Sequence, residues 1–155
     1  MEELRVPTRR VAVELFMDDG VHTRGVMYLT QTRHHSSESE EIAGLLNDDR
    51  VFVPFRADDP SIDVWIVNKH HVIRVHLKDC DTLRDDAAPA EPTPICTIVL
   101  CDRSRLTGQL LFDAPVSASR LVDKFNGAPS FMTFVTDDGV DFVHRSHVTQ
   151  VFQHS

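Results

Sequence analysis

The sequence predicts a mainly β (α+β) chain in which a small, strongly bent sheet carrying one short helix is written twice, the two copies packed as a pseudo-dimer. Two observations lead there. Short apolar runs alternating with polar residues recur between turn signals along most of the chain. The stretch Phe131 to Phe152 also echoes Phe52 to Val75. Asn126, Phe131 and Phe134 fall on Asn47, Phe52 and Phe55 at a constant spacing of 79, and after a three-residue slip Val143 to Val151 falls on Val67 to Val75. Matched Gly, Asn and Phe positions in one order are what a duplication leaves behind.

Residues 1–8 read as an N-terminal tail and 9–78 as the first unit. Val11 to Phe16 alternates as a strand, Asp18-Asp19-Gly20 is a turn signal, and Thr23 to Thr30 completes a hairpin around Gly25. Ser37 followed by Glu40 is a capping-box pattern, and Ile42, Leu45 and Leu46 recur at helical spacing, so a short amphipathic helix ends near Asn47. Val51 to Phe55, Asp63 to Asn68 and Val72 to Leu77 are three further strands. Residues 79–93 are acidic and carry Pro89 and Pro92, which remove backbone donors and fix φ; they read as a linker. The second unit, 94–153, repeats the plan: Ile95 to Cys101, a turn, a strand around Gly108 (83 after Gly25), a helix over Ser117 to Asn126, then strands at Ser130 to Thr136, Val140 to Arg145 and Val148 to Phe152. Asp137-Asp138-Gly139 is a hairpin turn signal between the first two of these three strands.

The 155 residues are 41% hydrophobic and 26% charged, with 16 Lys and Arg against 24 Asp and Glu, a net charge of −8. Such a field repels phosphate backbones and argues against nucleic acid as the partner. No apolar stretch approaches the length that spans a bilayer, and no secretory leader is apparent, so the expected location is the cytoplasm. Cys80, Cys96 and Cys101 form no CxxC pair; their odd number fits reduced thiols, with Cys96 and Cys101 as small buried hydrophobes.

Leu106-Thr-Gly-Gln-Leu-Leu-Phe-Asp113 and Phe142-Val-His-Arg-Ser-His-Val148 resemble the two sequence motifs of Sm-like (LSm/Hfq-type) barrels. The resemblance implies a small barrel that associates through its strand edges. Two departures bear on what else it implies. Sm-like RNA binders have an Asn shortly after the Asp of the first motif and an Arg-Gly in the second, whereas here Asp113 is followed by Ala-Pro-Val, and the second motif reads Arg145-Ser146 with Lys69-His70 in the first unit. RNA binding is therefore not carried over. If nucleic acid were bound, Arg24, Lys69, Arg105 and Arg145 would be the contacts.

Nine histidines raise the question of a metal, which needs three or four converging ligands. Adjacent pairs such as His34-His35 and His70-His71 diverge on an extended chain, so no metal site and no cofactor is expected. His71 and His147, matched before the last strand of each unit, read as a structural pair bonded to a loop. No nucleophile elbow, P-loop or dinucleotide fingerprint occurs, and no catalytic residue is assigned. The acidic cluster from Glu38 to Asp49 reads as a solvated helix face. Trp65 falls on Asp141, with Val64 on Val140 and Ile66 on Phe142; alternation then turns Val64 and Ile66 inward and Trp65 outward. Trp65, with Val67 and Lys69, is accordingly the expected protein interface. The chain reads as a non-catalytic interaction module, regulatory or scaffolding, whose partner is another protein or a second copy. An Sm-like nucleic-acid binder and a small-molecule sensor with its ligand between the two units are the alternatives.

Overall fold

The computed structural model describes residues 8–30, 37–59, 61, 64–78, 93–111 and 120–154. Ten strands lie among the described residues: β1 (Thr8–Met17), β2 (His22–Thr30), β3 (Phe52–Ala57), β4 (Trp65–Asn68), β5 (Val72–Lys78), β6 (Cys96–Leu100), β7 (Arg105–Leu111), β8 (Phe131–Thr136), β9 (Gly139–His144) and β10 (Val148–Gln153). Among the same residues two short helices accompany them, α1 (Glu38–Asn47) and α2 (Leu121–Gly127), with single 3-10 turns at Lys69–His71 and Arg145–His147. The chain is thus mainly β, as its periodicity predicts. The linker and the tail lie outside the described residues, apart from Thr8 and Thr93. Thr93 is buried and donates its hydroxyl to the Leu110 carbonyl, which ties it to the second half.

All ten strands join one open antiparallel sheet in the order β10-β6-β7-β8-β9-β5-β1-β2-β3-β4. The first half contributes β5-β1-β2-β3-β4 and the second β10-β6-β7-β8-β9, the same order with each number raised by five. The halves meet where β5 pairs with β9, in a register that sets Val75 opposite Phe142 and His76 opposite Asp141.

Backbone contacts within the halves also correspond. The Asp18 amide donates to the His71 carbonyl, as the Cys101 amide does to His147, both at 2.9 Å; the Lys69 amide donates to Val51, as the Arg145 amide does to Ser130. Gly25 and Gly108 occupy matched close approaches, where an added Cβ would lie 2.1 Å from the Arg56 carbonyl oxygen and 1.9 Å from that of Val135. Only a residue without a Cβ lets the neighbouring strand come so near.

Helix α1 starts where the sequence predicts, the Ser37 hydroxyl accepting from the Glu40 amide at 3.2 Å. Its apolar stripe, Ile42 and Leu46, enters a core shared with Val13, Met27, Phe55, Val67 and Val75, and this core also receives Phe131, Val140 and Phe142 from the second half. The second core gathers Ile98, Leu110, Met132, Phe134 and Val143 around Ile73 from the first half. Each half therefore plugs side chains into the other's core, and a fully buried Phe contributes about 2–3 kcal/mol of transfer free energy.

Candidate functional site

Among the described residues the sheet has two free edges, and the β4 edge carries the most exposed apolar side chain, Ile66. β3 alternates cleanly, with Val53, Phe55 and Ala57 buried and Phe52, Pro54 and Arg56 exposed. β4 follows that pleat: Pro54 sits opposite Ile66 and Phe55 opposite Trp65. This reverses the predicted faces. Trp65 is half-buried against the core, its ring 6.0 Å from that of Phe55, and Val67 is buried beside it. Ile66 is instead 76% exposed, and it shares its side of the sheet with Phe52 at 55% and Val64 at 51%. The prediction failed because β4 copies the apolar spacing of β9, and β9, in mid-sheet, is buried on both faces.

Lys69 is no interface residue either. It is 5% exposed, and its ammonium reaches the carbonyls of Leu45 and Asp48 and the Asp48 carboxylate at 2.8–3.2 Å, closing the C-terminal end of α1. Arg50 and then Lys69 hold the Asp48 carboxyl well below its usual range. Arg145 does the matching task for α2, donating to the carbonyls of Asn126 and Ala128. Of the four cations named for nucleic acid only Lys69 is buried; Arg145 is exposed but engaged at the α2 end, while Arg24 lies beside Glu14 and Arg105 over the Phe152 ring. His71 pairs with Asp18 at 2.8 Å, and His147 bonds the His70 carbonyl at 2.7 Å and lies 3.5 Å from the Cys101 sulfur. Cys101 is exposed rather than buried, while Cys96 is buried and its thiol is pushed up to about 11 by desolvation.

A polar groove of about 400 Å³ opens where the halves meet, lined by Glu14, Phe16, Arg74, His76, Arg105 and Asp141, among others. Its floor is a charged cluster on the paired strands β5 and β9. Arg74 donates to Asp141 at 2.6 Å, and His76 lies 3.2 Å from the same oxygen. The Asp141 side chain is 2% exposed and the Arg74 side chain 14%. The Arg74 guanidinium stacks on Phe16 at 3.6 Å, and the other partner of that ring is His22 at 4.1 Å. The hydrogen bond to Asp141 raises the pKa of His76. Arg74 Nε is buried without a hydrogen-bond partner. Sequence reading passed over this pair, although a signal exists: a single charge inside the apolar runs Val72-Ile-Arg-Val75 and Val140-Asp-Phe-Val143 marks a strand covered on both faces.

A third cluster lies nearby at the second 3-10 turn. His144 is buried edge-on to Phe131 and within 4.9 Å of His147, its nitrogen accepting from the Ser146 amide; desolvation first, then the proximity of His147, His70 and Arg145, lowers its pKa to about 4. Among the described residues no group of three or more His, Cys, Asp or Glu is arranged to hold a metal, and no helix is long and apolar enough to cross a membrane. Comparison with protein-family models, curated proteins and solved structures finds no match to this chain.

Proposed function

We propose that this chain is a non-catalytic protein-interaction module, regulatory or scaffolding, built from two copies of an Sm-like unit joined edge to edge. The duplication is supported by the repeated strand order, the matched glycines and the paired backbone hydrogen bonds. One observation carries the functional reading: Phe52 on β3, Val64 just before β4 and Ile66 on β4 stand exposed together at one end of the sheet, and among the described residues β4 there offers an unpaired edge. A row of free amides and carbonyls beside an apolar patch is the surface on which an added strand docks. The free, unbridged Cys96 and Cys101 accord with a reducing cytosol. Ile66→Asp tests this reading. Complexes seen by light scattering or affinity capture with the native chain should disappear with the folded variant; complexes indifferent to Ile66 would remove the β4 edge from the function.

The groove favours a second reading, a sensor for a small polar ligand, because Arg74 Nε is desolvated and unpaired beside a cavity large enough for one. A panel of small anions and zwitterions screened by thermal shift, native chain against Arg74→Met, checks it: stabilisation by a ligand in the native chain alone supports the sensor. The nucleic-acid reading is weakened by the net charge and by the engagement of Lys69 and Arg145 at helix ends.

A further inference from the structure

The joint between β5 and β9 has a counterpart left open at the two ends of the sheet. β9 corresponds to β4 and β5 to β10, each at a spacing of 76 (Val143 on Val67, Val148 on Val72). The strands with free edges are therefore the matches of the two strands that pair at the centre. Exposure at matched positions says what is missing. Phe131, Val140 and Phe142, which fill the first half's core across the joint, are 1%, 1% and 0% exposed; their matches Phe52, Val64 and Ile66 are 55%, 51% and 76% exposed. On the receiving side, Leu46, Val72 and Val75 are buried, whereas their matches Phe125, Val148 and Val151 are half-buried. Asn47 clamps the joint by accepting from the Phe131 amide at 2.7 Å and donating to its carbonyl at 3.0 Å. Its match, Asn126, is exposed at the end of α2.

We infer that copies of this chain associate head to tail, β4 of one pairing antiparallel with β10 of the next, in a repeat of the internal joint. This deepens the interaction-module reading, on which it rests, by naming the occupant of the β4 edge as a second copy. Carrying the β5·β9 register outward sets Val151 opposite Ile66 of the next copy, Gln150 opposite Val67 and Phe152 opposite Trp65. The buried His76–Asp141 contact becomes an aromatic Phe152–Trp65 pair, and Asn126 reaches the backbone of Phe52. Phe52, Val64 and Ile66 enter the cleft between α2 and β10 as Phe131, Val140 and Phe142 enter the first core. The contact is heterologous, so each copy keeps one edge of each kind, and the assembly closes as a ring or continues as a filament.

Light scattering coupled to size-exclusion chromatography tests this on the full chain over a concentration series. The native chain should give at least twice the 17.6 kDa monomer mass. Ile66→Asp blocks the β4 edge and should give monomer. Val151→Asp blocks the β10 edge and should do the same; because Val151 is half-buried, Asn126→Ala, at an exposed site, is the companion variant and should weaken association about tenfold or more through loss of the clamp. Mixing Ile66→Asp with Asn126→Ala should give a complex of two chains joined by the β10 edge of the first and the β4 edge of the second. Trp65 is the only tryptophan, so its emission should shift as the native chain is diluted through dissociation. A native chain monomeric at every concentration overturns the inference. An oligomer lost in Ile66→Asp but unmoved by both β10-side variants also overturns it, since two β4 edges would then be pairing. If the native chain is monomeric yet captures another protein through Ile66, the interaction-module reading stands and the self-association fails; if Ile66→Asp alters neither behaviour, both fall.

Discussion

The centre of the sheet and its ends are built from matched sequence and meet opposite surroundings. In β9, Val140 and Phe142 are sealed in the first core, and Asp141 on the other face is sealed as well; at β4 the matched Ile66, and Val64 just before the strand, face outward, and only the Trp65 and Val67 face is covered. The pair teaches that alternation places side chains on two faces of a strand, while the neighbouring element decides which face is wet. The comparison can be broken by truncation. Phe142→Ala should cost about 3–5 kcal/mol in urea unfolding. Ile66→Ala, measured where the chain is dilute and monomeric, should stay within about 0.5 kcal/mol of the native chain. Equal costs would mean that the two strands are equally covered.

The charges at the joint come next in size. Asp141→Ala strands the Arg74 guanidinium, 14% exposed and already short of a partner at Nε, so about 3–5 kcal/mol should be lost. Replacing both, as Arg74→Met with Asp141→Leu, should recover most of it, because two apolar side chains of similar volume need no counter-ion. The ends of the sheet have no such pair, since Asp141 and Arg74 are matched by Trp65 in β4 and Gln150 in β10. A double variant as unstable as the single one would show that the ion pair contributes net stability.

What could be read from sequence divides along the same line. Every described strand and both described helices were visible in the apolar spacing between turn signals, and the interval of 79 from Val51 to Ser130 recurs in their matched bonds from the Lys69 and Arg145 amides. The face of β4 was not visible. Val64-Trp-Ile-Val67 is apolar throughout, so alternation gave no polar residue to mark the wet side, and the alignment with β9 imported the burial of a central strand onto an edge. Lys69 and Arg145 looked like free cations because the carbonyls they satisfy lie at helix ends 17 to 24 residues earlier in the chain. The groove was illegible for a similar reason: Arg74 and Asp141 are 67 positions apart and meet only through the register of β5 with β9.

Asparagine gives a smaller but cleaner contrast. Asn47 satisfies both backbone groups of Phe131, so Asn47→Ala leaves an amide and a carbonyl in the joint without partners and should cost about 2–4 kcal/mol. Asn126→Ala in the dilute monomer should be within about 0.5 kcal/mol of native. Chemical denaturation of the two variants side by side checks this, and a large loss from Asn126→Ala would mean that the exposed helix end has an internal task of its own.

The last contrast is between His144 and Asn68, matched residues that accept the same hydrogen bond, from the Ser146 and His70 amides respectively. Burial against Phe131, with His70, His147 and Arg145 nearby, lowers the pKa of His144 from 6.5 to about 4. The folded chain thus holds His144 neutral, whereas the unfolded chain takes up a proton below about pH 6.5. Stability tied to this residue is complete above that pH and is lost as pH falls from 6.5 towards 4, amounting to roughly 2 kcal/mol by pH 5. His76 works with the opposite sign: its pKa is raised by Asp141, so its contribution is present below pH 6.5 and is lost as pH rises through the raised value; it does not mimic the acid-side loss. His144→Asn installs the first half's cap in the second half. It should cost about 1 kcal/mol at pH 7.5, where a smaller side chain packs against Phe131, and it should become the more stable chain at pH 5. Denaturant midpoints at the two pH values decide the point. Parallel shifts of both chains would show that His144 is protonated to the same extent folded and unfolded, and the crossing of the two stability curves would show that the turn at the joint, unlike its match at the β4 edge, is capped by a buried, neutral histidine.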